Sequence, residues 1–292
     1  MAFRRLLVPL TGTKAGEAAL ATALVAARIW NSHIHCLHVR VDARDVAPLA
    51  GEGLSGAMIE EMMAATERES GERAGRVKAL FDRFAGGLGD ITLADSAEHA
   101  NKTDGVTLSF ESIAGREEDV VAQQSRLYDM AVVPHPEADD DASSSDALHA
   151  VLFDSGRPVL IAPPKAPASI GTRICSAWNG TAESAAAMAA ALPWLHQAQA
   201  RRVLYADEYQ RRGPKVEGIL SYLRWHNVPA EAVQFKSVTK DVGAGLLGAA
   251  RDFNADLLTM GAYSHSRIRQ LILGGVTRHV LENSDIPILM CR

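Results

Sequence analysis

The sequence predicts an α/β protein made of two tandem parallel-sheet units, and three observations carry that prediction. Short apolar runs alternate with Ala- and Leu-rich stretches at helical spacing along the whole chain. The opening pattern of run, turn, helix and run occurs again from about residue 172. Between the two copies, Pro163, Pro164 and Pro167 fall within five residues. They can continue neither a strand nor a helix and make a stiff linker. The units are accordingly placed at residues 1–163 and 170–292.

The elements follow in order. Leu6 to Leu10 reads as a strand, Thr11-Gly12-Thr13 as a turn, Lys14 to Trp30 as a helix and His33 to Val41 as the next strand. That is the parallel crossover unit. In the second copy, Thr172 to Trp178 is the strand, Asn179-Gly180-Thr181 the turn, Glu183 to His196 the helix and Arg202 to Ala206 the next strand. Toward the end of each copy, residues 127–133 match 254–260, and Arg157 to Ile161 matches Ile286 to Met290. Both halves therefore read β-α-β-α-β-α-β-α-β, a duplication of a whole domain rather than a solenoid repeat. The first half is longer in its middle, where Ala57 to Phe84 has the spacing of a long surface helix and Asp90 to Gly105 is polar and turn-rich.

Bulk properties bound the function. The chain has 292 residues, 47% hydrophobic and 22% charged, with a net charge of -5. This suits a folded globular protein and excludes disorder. No clustered basic face marks a nucleic-acid surface. No apolar run approaches the roughly 18 residues that span a bilayer. The apolar stretch after Arg4-Arg5 is too short for a signal-peptide core, so a cytoplasmic protein is expected. Cys36, Cys175 and Cys291 show no paired or zinc-binding spacing and read as small buried hydrophobes in a reducing compartment.

The last thirty-odd residues are the most specific. Met260-Gly261-Ala262-Tyr263-Ser264-His265-Ser266-Arg267 is followed by Gly274-Gly275-Val276-Thr277 and then by the closing run Ile286 to Met290. This resembles the universal stress protein family. Its nucleotide-binding members carry a glycine, two residues, a glycine, nine residues, a glycine and then Ser or Thr, followed by Val-Thr and a closing apolar strand. Gly261 and Gly274 hold the first and third glycines. Ser264 replaces the second, and Gly275 replaces the hydroxyl residue. The resemblance implies two Rossmann-like, adenine nucleotide alpha hydrolase-like domains. Each would have a five-stranded parallel sheet in the order 3-2-1-4-5 flanked by helices, and the two would join through their last strands as an internal pseudo-dimer. Whether the chain assembles further as a homo-oligomer stays open.

The residues of the loop support the same chemistry on their own. Gly261 ends a strand at the carboxyl edge of a parallel sheet, where open α/β sheets bind ligands. Gly274-Gly275 allows close backbone approach to an anion, and the helix starting at Val276 presents free N–H groups. His265 and Arg267 add positive charge. The resemblance further implies that the turn after the first strand reads the adenine side. Asn179 stands where nucleotide-binding members have Asp. Ala177, Trp178, Gly180, Thr181 and Ala206 surround it, with Thr277 as a substitute hydroxyl near the phosphates. The expected cofactor is ATP with magnesium, and the expected role is a stress-response binding protein with at most slow hydrolysis. The alternative is a scaffold acting through protein contacts. In the first half the corresponding loop holds four carboxylates between Glu137 and Asp141, which oppose phosphate, so no nucleotide is expected there.

Other signals are weaker. Gly51-x-Gly53-x-x-Gly56 does not directly link a strand to a helix, as a dinucleotide fingerprint must. His33 and His35 share one strand face and His38 the other, so the three do not converge on a metal.

Overall fold

The computed structural model describes residues 2–42, 55–136, 142–210, 213–239, 241–262 and 275–292. The first half runs β1 (Arg5–Pro9), α1 (Lys14–Trp30), β2 (His33–Arg40), α2 (Gly56–Gly86), β3 (Ile91–Leu93), α3 (Ala97–Lys102), β4 (Val106–Ala114), α4 (Glu117–Ser125), β5 (Met130–Val133), α5 (Ala142–Ala150) and β6 (Val159–Ile161). The second runs β7 (Arg173–Ala177), α6 (Ala182–Gln197), β8 (Ala200–Tyr205), α7 (Val216–Trp225), β9 (Glu231–Gln234), α8 (Val242–Asp252), β10 (Leu257–Gly261), α9 (Gly275–Asn283) and β11 (Ile288–Cys291). A π-helical turn, Val151–Ser155, extends α5, and a 3-10 turn, Asp207–Tyr209, follows β8.

The eleven strands of the described residues form one sheet in the order β3-β4-β2-β1-β5-β6-β11-β10-β7-β8-β9. Neighbours within each half are parallel. The pair joining the halves, β6 with β11, is antiparallel, with Val159 opposite Met290 and Ile161 opposite Ile288. Both strands of this seam are buried throughout, which accounts for their uninterrupted apolar sequence.

The expectation of five strands per half needs one correction. Among the described residues the first half has six, because Ile91–Leu93 pairs with β4 as an added edge strand. Three residues are too few to show a period, and Leu93 is 56% exposed, so no apolar alternation announces it.

Local chemistry repeats between the halves. Thr13 caps α1 by accepting from Gly16 N, and Thr181 caps α6 by accepting from Ser184 N. The Asp129 carboxylate accepts from the backbone N–H groups of Arg4 and Arg5 at the start of β1. Asp256 does the same for Thr172 and Arg173 at the start of β7. Each carboxylate thus pins its β5-type strand to the first strand of its own half.

One apolar layer lies on each face of the sheet, and both layers run across the seam. On one face, Leu20, Ala27 and Trp30 of α1 and Val77 and Phe81 of α2 join Met188, Leu192 and Trp194 of α6. Phe3, Trp30 and Trp194 form an aromatic trio there, with Trp30 and Trp194 edge to face at 4.6 Å. On the other face, α4 and α5 of the first half and α8 and α9 of the second cover Leu7, Val133, Leu258 and Met290. Cys36, Cys175 and Cys291 are free and buried in β2, β7 and β11. Burial alone pushes the Cys291 thiol up to about 12.

Candidate functional site at the carboxyl edge of the second half

A helix that follows a parallel strand begins at the carboxyl edge of the sheet, so the topology gathers the turn after β7, the end of β8, the end of β10 and the start of α9 at one edge. Ala177 is the last residue of β7 and is partly buried. Trp178 is buried, and its N–H still donates to Leu204 O at 2.9 Å. Asn179 then folds its side chain back on the turn. Its Oδ1 accepts from Thr181 N at 3.2 Å and from Thr181 Oγ1 at 2.9 Å. This is an Asx turn. Gly180 supplies the left-handed conformation that closes it, at φ 81°. The Asn179 carbonyl is therefore committed, while its amide nitrogen has no partner among the described residues.

On the neighbouring strand, Thr259 Oγ1 donates to Ser176 Oγ at 2.9 Å in the buried interior, tying β10 to β7. Met260 and Ala262 are buried, and Ala262 N donates to Cys291 O at 2.9 Å. Gly261 has a structural reason the sequence pattern did not disclose. An ideal Cβ there would stand 2.5 Å from Glu183 C and Ser184 N, because the first turn of α6 rests directly on the strand end. Ala206 is buried immediately after β8. Gly275 opens α9 in an exposed position, Val276 is half-buried, and Thr277 is buried. Of the loop residues read from sequence, Ser264, His265, Arg267 and Gly274 lie outside the described residues, as do Glu137 to Asp141 of the first half.

Two features here escaped the sequence. The first is a strap. Gly213 and Pro214 pack against the Gly180 backbone, and Pro214 O accepts from Trp178 Nε1 at 3.0 Å and from Gln210 Nε2 at 3.2 Å. The chain after β8 thus crosses the β7 turn. The second is an anchor for α9. His279 Nδ1 lies 2.7 Å from Asp241 Oδ2, while Asp241 Oδ1 caps α8 by accepting from Ala244 N at 3.1 Å. A single Asp in a stretch without periodicity gives no hint of a helix 38 residues away. In the first half Thr11 takes the place of Asn179, and its hydroxyl is hydrogen-bonded to Thr13 Oγ1 at 2.8 Å.

Comparison with known proteins bears on this half directly. The profile of the universal stress protein family matches residues 169–292. The second half of the chain thus matches the universal stress protein family. A curated universal stress protein from Synechocystis is 54% identical over 37 residues, which is 13% of this chain and 13% of that protein. The match therefore spans far less than the length of that relative. The crystal structure of a universal stress protein from Archaeoglobus fulgidus superposes with a TM-score of 0.64 at 16% identity, over 100% of this chain and 97% of that one. That of a putative universal stress protein from Pseudomonas aeruginosa gives 0.53 at 14% identity, over 99% and 93%. At such identities the two structures show a shared fold, extending over both halves of the sheet. Among the described residues, no helix of the chain is long and apolar enough to cross a membrane.

Proposed function

We propose that this chain is a tandem universal stress protein, with units at residues 1–163 and 170–292, that binds one adenine nucleotide at the carboxyl edge of its second half. The observation that supports this best is the gathering of the Asn179 turn, Ala206, the end of β10 and the exposed N-terminus of α9 at one edge. The donor set suits the ligand. The free N–H groups of the first turn of α9 and the missing side chain at Gly275 suit phosphate. The Asn179 amide suits the base, with Ala177 and Ala206 as its small neighbours. Because the Asn179 carbonyl is held in its Asx turn, the side chain offers a donor where a carboxylate would offer an acceptor. The base would then be read through a ring nitrogen rather than an exocyclic amine. ATP, with magnesium accompanying its phosphates, is the form proposed, in a cytoplasmic stress-response role. The first half is proposed to bind none, because the acidic stretch Glu137 to Asp141 repels phosphate.

Titration calorimetry with Mg-ATP tests the proposal. The expected result is a stoichiometry of one per chain, with Asn179→Ala weakening binding about tenfold, the worth of one good hydrogen bond in a partly buried site. Two nucleotides per chain would defeat the asymmetric reading. No binding at all would leave the chain a scaffold working through protein contacts.

A further inference from the structure

The first half carries a cavity of about 880 Å³ at the opposite, amino-terminal edge of the sheet, on the face covered by α4. That size lies within the range of small-molecule sites. Its floor is a row of polar groups on β2 and β4. His33 Nδ1 lies 2.8 Å from Thr107 Oγ1, His33 Nε2 2.9 Å from Ser109 Oγ, His35 Nδ1 2.8 Å from the same Ser109 Oγ, and His35 Nε2 3.4 Å from Glu111 Oε2. A carboxylate only accepts, so the proton of neutral His35 sits on Nε2, and its Nδ1 accepts from the Ser109 hydroxyl. Ser109 Oγ must then accept from His33 Nε2–H, and His33 Nδ1 accepts from Thr107 O–H. Every ring nitrogen is satisfied in one direction, and the arrangement is electrically neutral up to Glu111. His35 also stacks on Tyr128 at 5.6 Å and 21°, and the Arg5 guanidinium lies 4.3 Å from the centroid of that ring. The floor is rigid and internally complete.

The walls are the reverse. Arg4, Asn101, Asp104 and Gln124 line the cavity, and their side chains carry no hydrogen bond or ion pair among the described residues. Arg4 precedes β1, and Asp104 lies in the short connection before β4. Arg5, His33 and Thr107 form one row across β1, β2 and β4, two strand spacings or roughly 10 Å wide, with Arg4 beside one end of the row and Asp104 in the connection leading to the other. The equivalent positions of the second half hold Ala200 in place of His33, and Arg202 paired to Glu231 at 2.8 Å in place of His35 and Ser109. A structural need shared by both halves is thus met there without histidines.

We propose that this cavity binds a short zwitterionic peptide of two or three residues, with its carboxylate toward Arg4 and its ammonium toward Asp104. At about 3.4 Å per extended residue, a chain of two or three residues spans roughly 7–10 Å, comparable to the width of that row. The preformed floor limits the ordering penalty of binding. The proposal is independent of nucleotide binding at the other edge.

The test is titration calorimetry of the full chain with the dipeptides Ala-Gln, Gly-Ser and Ala-Lys, each unmodified, N-acetylated and C-amidated. At least one unmodified peptide should bind saturably, and removing either end charge should weaken it by roughly tenfold. Arg4→Gln should weaken the unmodified peptide to a similar extent and leave the C-amide unaffected. Asp104→Asn should do the same with respect to the N-acetyl form. Both side chains are unengaged, so both variants should melt at the wild-type temperature, which separates lost binding from lost folding. Absence of saturable binding by all three peptides up to about 10 mM, affinity indifferent to the end groups, or variants that bind as wild type would overturn the proposal.

Discussion

At the scale of single residues, the consequences follow from groups whose surroundings leave them no choice. Burial, followed by the neighbouring charges of His35 and Arg5, lowers the pKa of His33 from 6.5 to about 4. Burial also lowers His35 against the opposing pull of Glu111, and Tyr128, just after α4, stacks on its ring. A histidine lowered on folding favours the native state above its unfolded pKa and loses that advantage as protons bind the unfolded chain. Stability should therefore decline as pH falls from about 6.5 to about 4, and level off below. Urea denaturation across that range should show a shallower decline for His33→Gln, whose amide still pairs with Thr107 and Ser109. Parallel curves for the two proteins would mean that the buried imidazole does not govern the effect. Gly261 offers a second residue-level consequence. Gly261→Ala places a methyl against the first turn of α6 and should destabilise the fold by about 1–3 kcal/mol, read as a lowered denaturation midpoint with an unchanged slope. A variant as stable as wild type would show that α6 can back away freely.

At the scale of elements, the seam is the most informative. Leu160 and Leu289 face each other across β6 and β11 and are fully buried, so Leu160→Ala should cost about 2–5 kcal/mol by equilibrium unfolding. A loss below about 1 kcal/mol would mean that the two halves barely lean on each other. These strands were legible because burial on both faces leaves a continuous apolar run. α2 was legible because Val77, Leu80, Phe81 and their half-buried neighbours recur at helical spacing over a long stretch. What escaped shares one physical property, dependence on partners remote in sequence. β3 exists only because β4 pairs with it, and the strap over the Asn179 turn depends on Trp178 reaching Pro214, 36 residues on. His33 and His35, set aside for failing to converge with His38, pair with hydroxyls 74 to 76 residues away. No local period encodes such meetings. At the candidate nucleotide edge, the turn, the cap at Thr181 and the start of α9 were readable. The second role of Gly261 and the commitment of the Asn179 carbonyl were not.

At the scale of the whole molecule, the halves share a single sheet and two apolar layers that cross the seam. Tryptophan fluorescence should report on the junction, since Trp30 and Trp194 touch there, and far-UV circular dichroism should report on the helices of both halves. The two signals are expected to change together in one thermal transition. Two separated transitions would show that each half holds itself up. The antiparallel join of β6 to β11 has a further consequence. When two identical subunits meet across a two-fold axis, every substitution appears twice and must be tolerated in both places. Here the two sides of the axis are written at different positions of one chain, so each can change without the other. Dilution cannot separate the pair, and one side can hold a ladder of histidines where the other holds Arg202 and Glu231. Division of labour within an apparently symmetric frame is what the join permits.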